Sequence, residues 1–285
     1  MSHFSVVCVL PFSHYLEDII LGLNRTGFSF GDIIFQRVHT IGHKMRFNKM
    51  PQYHELYPRD RTSNTGSVSI QGYALLNESD YEAVEINIFR ERELLESTLL
   101  NLTYNNDTAN FSYTHELPAE LTNYHFKVYG IKNGVPHFEA EALNVVAGDV
   151  YLIDGGSNAA AVVLYDPADT IPHAYRYDRN PFIRNYGLKY ADENSYVWHS
   201  EADDDAPFAS FRSGQWGLRL GRNIVENQQI PIAIINGSAS VASIEYLQPN
   251  WQNPTDTASN YGRLLTRVRN ARLENHIRAI LFFQG

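Results

Sequence analysis

The stretch that decides the fold reads Gly148-Asp149-Val150-Tyr151-Leu152-Ile153-Asp154-Gly155-Gly156-Ser157-Asn158-Ala159. Its first half is apolar enough for a strand that is buried on both faces. Its second half places two glycines, which permit a tight turn, directly before a serine. An alanine-rich segment, 159–163, follows. We therefore predict a strand, a turn and a helix, with Ser157 at the strand end where open α/β sheets bind their ligands.

Taken alone, this local pattern has two interpretations. Ser157 is either a nucleophile whose own N–H faces a developing oxyanion, or a helix N-cap that stabilises the fold by roughly 1 kcal/mol. A Gly-Gly-Ser-Asn tetrapeptide is too short to decide between them, so the neighbouring sequence has to be considered.

Towards the C-terminus, helical and strand patterns alternate. Residues 216–227 and 261–275 have the apolar spacing of helices, whereas 231–235 and 279–283 are short apolar runs typical of buried strands. Alternation of this kind predicts a parallel sheet with helices on both faces. We assign it to residues 147–285.

Towards the N-terminus, short runs with a period of two are separated by polar turns. Val84–Ile88 alternates in this way, and Asn133-Gly134 is a strong hairpin signal between two such runs. Strands at this spacing predict an Ig-like β-sandwich, which we assign to residues 46–146. Residues 1–45 show no clear period and receive no assignment.

Composition excludes several classes of function. The chain has 285 residues, a formal net charge of −9 and a single cysteine, Cys8. The acidic balance disfavours nucleic acid as a partner, because phosphate binding needs clustered Lys and Arg. One cysteine allows neither an internal disulfide nor a cysteine-based zinc site. No apolar run reaches the length of a membrane span, and we expect no metal and no cofactor.

Several blocks in the second half resemble, in the correct order, those of the sialate O-acetylesterase-like branch of SGNH hydrolases. The first is the stretch quoted above, which is similar to the family's Gly-Asp-Val-Tyr/Trp, apolar run and Gly-Gln-Ser-Asn. The others are 215–220, 230–237, 261–265 and 278–285. The resemblance covers roughly residues 50–285. It implies an SGNH, flavodoxin-like α/β domain after the sandwich, incomplete at its C-terminus.

The resemblance also implies an activity, which is hydrolysis of acetyl esters on sugars. Ser157 would be the nucleophile, and the N–H groups of Ser157 and Ser240 would bind the oxyanion. Asn158, Asn236 and Gln284 would contact the substrate. The partner would be an acetylated carbohydrate, and the protein would be secreted or periplasmic, although the N-terminus is not a convincing signal peptide.

The chain departs from the family pattern at three places. Gly156 stands where the family has Gln, and Ser240-Val241 stands where it has Gly-Gly. The last residue is Gly285, so the Asp-x-x-His that supplies the base is missing. We interpret His173, His199 and His276 as ordinary surface or loop residues, since none has that spacing.

Without the Asp-x-x-His part, we expect the esterase activity of this chain to be impaired. Two alternatives stand beside this impaired esterase: a catalytically inactive relative that binds glycan or protein, and a non-functional gene fragment. An incomplete sheet would expose a strand edge, so we expect the chain to be marginally stable or covered by a partner chain. The acidic run 203–205 is interpreted as a solvated loop rather than a calcium site.

Overall fold

The computed structural model describes residues 44–160, 177–188, 196–202 and 213–284. Residues 1–43 of the unassigned N-terminal segment lie outside this part. So do most of the alanine-rich segment after Ser157, His173 and the acidic run 203–205.

The described residues form twelve strands and four helices. The strands are β1 (Met45–Lys49), β2 (Leu56–Pro58), β3 (Thr65–Leu75), β4 (Ala83–Arg90), β5 (Glu93–Asn101), β6 (Thr108–Pro118), β7 (Tyr124–Lys132), β8 (Val135–Gly155), β9 (Ile183–Leu188), β10 (Tyr196–Ser200), β11 (Ile232–Asn236) and β12 (Ile277–Phe283). The helices are α1 (Ser157–Ala160), α2 (Gln215–Gln228), α3 (Ile244–Leu247) and α4 (Asn260–Asn270).

Two sheets enclose the core of the N-terminal half. The smaller sheet has the order β1-β3-β6 and is antiparallel. Its inward side chains, such as Ile70 and Phe111, share a buried cluster with Ile86 of β4 and Phe126 of β7. Alternation of buried and less buried residues along β3 and β7 is what a half-buried strand requires. This strand-rich part agrees with the predicted sandwich.

The larger sheet has nine strands, and β8 is its central element. The order is β10-β9-β11-β8-β7-β4-β5, with β2 and β12 also paired to β8. The first half of β8 runs antiparallel to β7. Its second half runs parallel to β11 and β12. The sheet is therefore mixed.

One strand, β8, serves both halves although its regular pairing is interrupted. The register with β7 shifts near Asn144, whose φ of 59° is left-handed, a conformation that asparagine tolerates better than most residues. After this shift, Val145 pairs with Tyr124 as the last pair between the two strands, and β8 continues beside β2 from Val146. The change in composition at residue 146 is thus a change from half-buried to fully buried strand, and β8 crosses the predicted domain boundary there.

Helices α2 and α4 lie on opposite faces of β11. Ile232 and Ile234 share a buried cluster with Val225 of α2. Ala233 and Ile235 share another with Leu264 and Val268 of α4. Both faces of β11 are apolar, so the strand pattern shows no alternation.

The predicted fold class is nevertheless wrong. We expected an SGNH-type, flavodoxin-like α/β domain with a parallel sheet, preceded by a separate sandwich. Strands dominate the described residues, and the parallel pairs are one section of a mixed sheet that continues into antiparallel strands. The alternation of apolar runs predicted strands β11 and β12 and helices α2 and α4, although α4 ends at Asn270 and not at residue 275. It did not show that residues 135–155 are one strand.

Strand β12 lies at an edge of the sheet, since the described residues pair it only with β8. Its Ile280, Phe282 and Phe283 are 65%, 51% and 51% exposed. Exposed apolar strand edges favour association with other chains. A partner chain that covers this edge stays a prediction.

The carboxyl group of Glu55 is buried just before β2. Its Oε2 accepts a hydrogen bond from the Gln52 N–H at 2.7 Å. Burial is the largest effect on its pKa and raises it from 4.5 to about 7, against the opposing effects of that bond, Arg272 and Tyr57. Glu55 is thus held protonated at pH values where the unfolded chain has already lost this proton.

We predict that Glu55 lowers stability as pH rises from about 4.5 to 7. The unfolded chain binds fewer protons than the folded chain over this range, so the free energy of unfolding falls, by on the order of 3 kcal/mol at pH 8. Glu55→Gln should remove this loss, whereas Glu274→Gln, at an exposed position, should keep it. Urea unfolding at pH 5 and pH 8 measures the difference. Equal pH dependence in all three proteins would contradict the prediction.

Candidate functional site

The glycines after strand β8 fix the position of Ser157. Gly155 has a φ of 135°, and a Cβ at this residue would lie 1.9 Å from the Phe283 carbonyl oxygen. The N–H of Gly156 donates to the same carbonyl at 3.1 Å. Ser157 then begins helix α1 and is exposed. Close backbone contact with β12, which only glycine allows at residue 155, thus places the serine at the carboxyl end of the parallel strands.

The loop after β11 lies beside this turn. The N–H of Gly237 donates to the Ile153 carbonyl at 2.8 Å, and the N–H of Ala239 donates to the Gly155 carbonyl at 3.1 Å. Ser240 follows as an exposed residue in a turn. In this turn the left-handed φ, 61°, is that of Val241, and Ser240 has no positive φ.

Gln284 joins the same edge from the end of β12. Its side-chain Nε2 donates to the Ala242 carbonyl at 3.0 Å. Its Oε1 lies 3.2 Å from where a Cβ on Gly156 would be. A larger residue at 156 would therefore need Gln284 to move by a few tenths of an ångström. The structure brings together the segments that carry Ser157, Ser240 and Gln284.

The two predicted asparagines have different surroundings. Asn158 is exposed in helix α1, next to Ser157. Asn236 is 5% exposed, and its Nδ2 donates to the carbonyls of Ala159 and Ser213, both at 3.1 Å. Its Oδ1 accepts from the Ser238 N–H at 3.0 Å. Asn236 thus ties α1 to two loops, and a contact with substrate stays a prediction.

Trp216 strengthens the same attachment. Its indole Nε1 donates to the Ala159 carbonyl at 3.0 Å, so this carbonyl accepts from both Trp216 and Asn236. Helix α1 has only four residues and too few internal hydrogen bonds to be stable alone. The surrounding side chains therefore maintain it.

A cavity of about 280 Å³ adjoins the Ser240 loop. It is lined by Ala160, the loop residues 236–240 and four residues of helix α4, which are Asn260, Arg263, Leu264 and Arg267. Asn260 donates to the Gly237 carbonyl at 2.8 Å. The cavity therefore reaches from the end of α1 to the start of α4.

Arg267 is a buried cation at this cavity that the sequence patterns did not single out. It is 2% exposed, and its guanidinium donates to the carbonyls of Asn236 at 2.9 Å and Tyr186 at 2.8 Å. Burial lowers its pKa to about 10, so it stays charged at neutral pH. The sequence feature that could have pointed to Arg267 is its spacing with Leu264 and Val268 on one face of the helix. This spacing by itself suggests only packing in the core.

Asp154 is a second polar residue that sequence reasoning missed. It is 8% exposed, and its Oδ1 accepts from the Gly155 N–H at 2.9 Å. Burial raises the pKa of this carboxyl, although the hydrogen bond opposes the shift. Its position at the end of an apolar strand, before two glycines, was the signal. Asp154 helps to hold the turn that carries Ser157.

No described histidine or carboxylate forms a hydrogen bond or ion pair with Ser157. His276 precedes β12, whose residue Ile277 pairs with Val150 at the opposite end of the parallel section. His199 lies in β10. Within the described ranges there is also no cluster of three His, Cys, Asp or Glu side chains that would hold a metal ion.

We predict that Asn236→Asp destabilises the protein. The carboxylate would face the Ala159 and Ser213 carbonyls without a donor, which costs on the order of 3 kcal/mol. Asn158→Asp is the matched control, and its exposed position predicts a change within about 0.5 kcal/mol. Urea unfolding at pH 7 measures both variants. A similar stability for the two variants would show that Asn236 does not hold α1.

Comparisons with known proteins give distant likenesses only. No family model and no curated protein matches the sequence. Among solved structures, a carbohydrate acetylesterase from Xanthomonas citri has a TM-score of 0.45 and 15% identity over 85% of this chain. The chain spans about half, 51%, of that protein. The structure named BhCBM56 has a TM-score of 0.19 and 10% identity, over 28% of this chain and 86% of its own.

A beta-glucuronidase from Bacteroides uniformis, a calcium-binding mutant, has a TM-score of 0.27 and 14% identity, over 85% of this chain and 27% of its own. All of these TM-scores are below 0.5, and none of these likenesses supports an argument about this chain. No helix in the described part has the length and apolar composition needed to cross a membrane.

Proposed function

We propose that the chain is a serine esterase of the sialate or carbohydrate O-acetylesterase type, with Ser157 as its nucleophile. The observation that supports this most is the exposed position of Ser157 at the carboxyl end of β8, in a turn that Gly155 and the Phe283 carbonyl hold in place. Open α/β sheets bind their ligands at the carboxyl ends of parallel strands, and the parallel section of this mixed sheet ends here. A serine that served only as a helix N-cap would not need the close backbone contact between Gly155 and Phe283 that precedes it.

The reaction begins when Oγ of Ser157 attacks the acetyl carbon. The carbonyl oxygen becomes an oxyanion, for which the backbone N–H groups of Ser157 and Ser240 are the proposed donors. Collapse of this intermediate breaks the ester bond between the acetyl carbon and the sugar oxygen. The sugar leaves as an alcohol, whose oxygen takes up the proton lost by Oγ, and an acetyl-serine remains. Water then attacks the acetyl group, releasing acetate and restoring Ser157.

The contacts of the Ser240 loop support its proposed part. Hydrogen bonds from Gly237 and Ala239 to β8, together with Asn260 and Arg267 at its base, hold this loop by backbone atoms. A donor held in this way needs little reorganisation when charge develops. Asn158 and Gln284 flank the turn and are the proposed contacts to the sugar.

A catalytically inactive relative that binds glycan is the second candidate. It is favoured by one observation, which is that no histidine in the described ranges forms a hydrogen bond or ion pair with Ser157. The proton of Oγ needs an acceptor, and loss of the base costs several orders of magnitude in rate. Both candidates share an acetylated carbohydrate as ligand and imply an exported protein.

We predict that Ser157→Ala lowers kcat/KM for p-nitrophenyl acetate at least about tenfold, which is less than in an enzyme with an intact base, because no histidine in the described ranges bonds to Ser157. The control is Ser112→Ala, at an exposed residue of β6, which should retain the wild-type rate. Release of p-nitrophenol at pH 8 measures all three proteins.

Equal rates for wild type and Ser157→Ala would contradict the assignment of the nucleophile. Absence of turnover by the wild type, combined with saturable binding of an acetylated oligosaccharide, would favour the inactive relative. The same assay on acetylated sugars would then define the ligand.

A further inference from the structure

The outer face of strands β4, β7 and β8 carries side chains that the serine site does not use. Along β7, Tyr124, Phe126 and Val128 point into the core, so the residues between them point outward. Strand pairing aligns Tyr129 with Glu85 of β4 and with Phe138 of β8. The result is a row of side chains across three strands.

A β-bulge turns Phe138 to this face. Val128 pairs with Ala140, but Tyr129 pairs with Phe138, so Glu139 is an extra residue in β8. Its buried carboxylate accepts from the N–H groups of Lys44 at 2.8 Å and Met45 at 3.0 Å, and from the Tyr81 hydroxyl. Bulges commonly redirect a side chain towards a functional surface, and here a network of buried hydrogen bonds fixes the bulge.

Aromatic rings on this face are accessible. The rings of Tyr129 and Phe138 are 5.9 Å apart and nearly perpendicular, at 72°. Phe138 is 48% exposed, and Tyr53 is 46% exposed. The Tyr53 hydroxyl donates to Oε1 of Glu141 at 2.7 Å, which places a third ring beside the same strand.

Polar groups accompany the rings. Nζ of Lys127 lies 3.8 Å from Oε2 of Glu141 and 5.7 Å from the Phe89 ring centroid. Nδ2 of Asn87 donates to Glu85 at 3.2 Å. Oδ1 of Asn87 is buried and accepts no hydrogen bond within the described part of the chain.

This combination matches the chemistry of a neutral sugar. A pyranose ring has an apolar C–H face, which packs on an aromatic ring, and hydroxyl groups at its rim, which donate to carboxylate and amide oxygens. Glu85 and Glu141 outweigh Lys127, so the face disfavours an anionic polysaccharide. A cross-strand aromatic pair can also stabilise a sheet, but that role does not require Phe138 to remain half-exposed.

We propose that this face is a carbohydrate-binding platform for neutral oligosaccharides, separate from Ser157. Tyr53, Tyr129 and Phe138 provide its stacking surface, and Glu85 and Glu141 accept from sugar hydroxyls. A second row of outward side chains crosses the strands at His125, which pairs with Phe89 of β4. This row lies about 13 Å along β7 from the row that contains Tyr129. The platform is therefore longer than a single sugar ring.

We predict that cellohexaose, xylohexaose or mannohexaose binds the full chain in calorimetric titrations, and that Phe138→Ser weakens this binding at least about tenfold. Phe138→Tyr, which keeps the ring, should bind as the wild type does. Leu76→Ser, at a residue 43% exposed in the turn after β3, is the control and should leave binding unchanged. Thermal melting verifies that each variant is folded.

Several outcomes would overturn the platform. These are absence of binding by all three hexaoses at millimolar concentration, binding of trigalacturonic acid alone, or equal affinity in the wild type and Phe138→Ser. Ser157→Ala should bind the hexaoses unchanged. Because these probes carry no ester, their binding is independent of whether Ser157 is a nucleophile, and each proposal can fail without the other.

Discussion

The structure depends on the backbone hydrogen bonds of one long strand, β8. Over 21 residues it pairs antiparallel with β7 and then parallel with β11 and β12. Two irregularities make this possible, the bulge at Glu139 and the left-handed Asn144. At each of them the register of pairing changes, and the strand continues where a regular strand would have had to end. The aromatic face at one end and the serine turn at the other are therefore positioned by the same element.

Backbone contact rather than side-chain packing fixes the ends of the parallel section. A Cβ at Gly148 would lie 1.9 Å from the Pro231 carbonyl oxygen, and one at Gly155 would lie 1.9 Å from that of Phe283. Both positions need glycine because the neighbouring chain takes the space of a side chain. Asp149, adjacent to the first, is held by Arg59 at 2.9 Å. The structure thus explains the presence of Gly148 and Asp149, and this explanation does not involve catalysis.

Local patterns predicted the elements of the structure but not their connection. Asn133 and Gly134 form the predicted hairpin turn, with left-handed φ values of 52° and 73°, and the apolar runs at 231–235 and 279–283 are strands. The predicted fold class was wrong because a segment with a period of two and a fully apolar segment suggest strands of two different sheets. Whether two such segments form one strand is decided by the strands that pair with them. The parts played by Asn236 and Arg267 could not be predicted, because each bonds to carbonyls distant in sequence. The position of Ser157, in contrast, could be predicted from the apolar strand and the two glycines that precede it.

Distance along β8 limits how the two proposed sites can cooperate. Phe138 and Gly155 are 17 residues apart, on the order of 50 Å along the strand. No mono- or disaccharide can contact both, so the platform cannot contribute to binding a small ester at Ser157. A polymer held on the platform, however, would raise the effective concentration of its acetyl groups near the serine. This benefit would fall as the polymer is shortened and would vanish for sugars too short to span both sites. A dependence of this kind distinguishes a separate binding platform from an extension of the catalytic site.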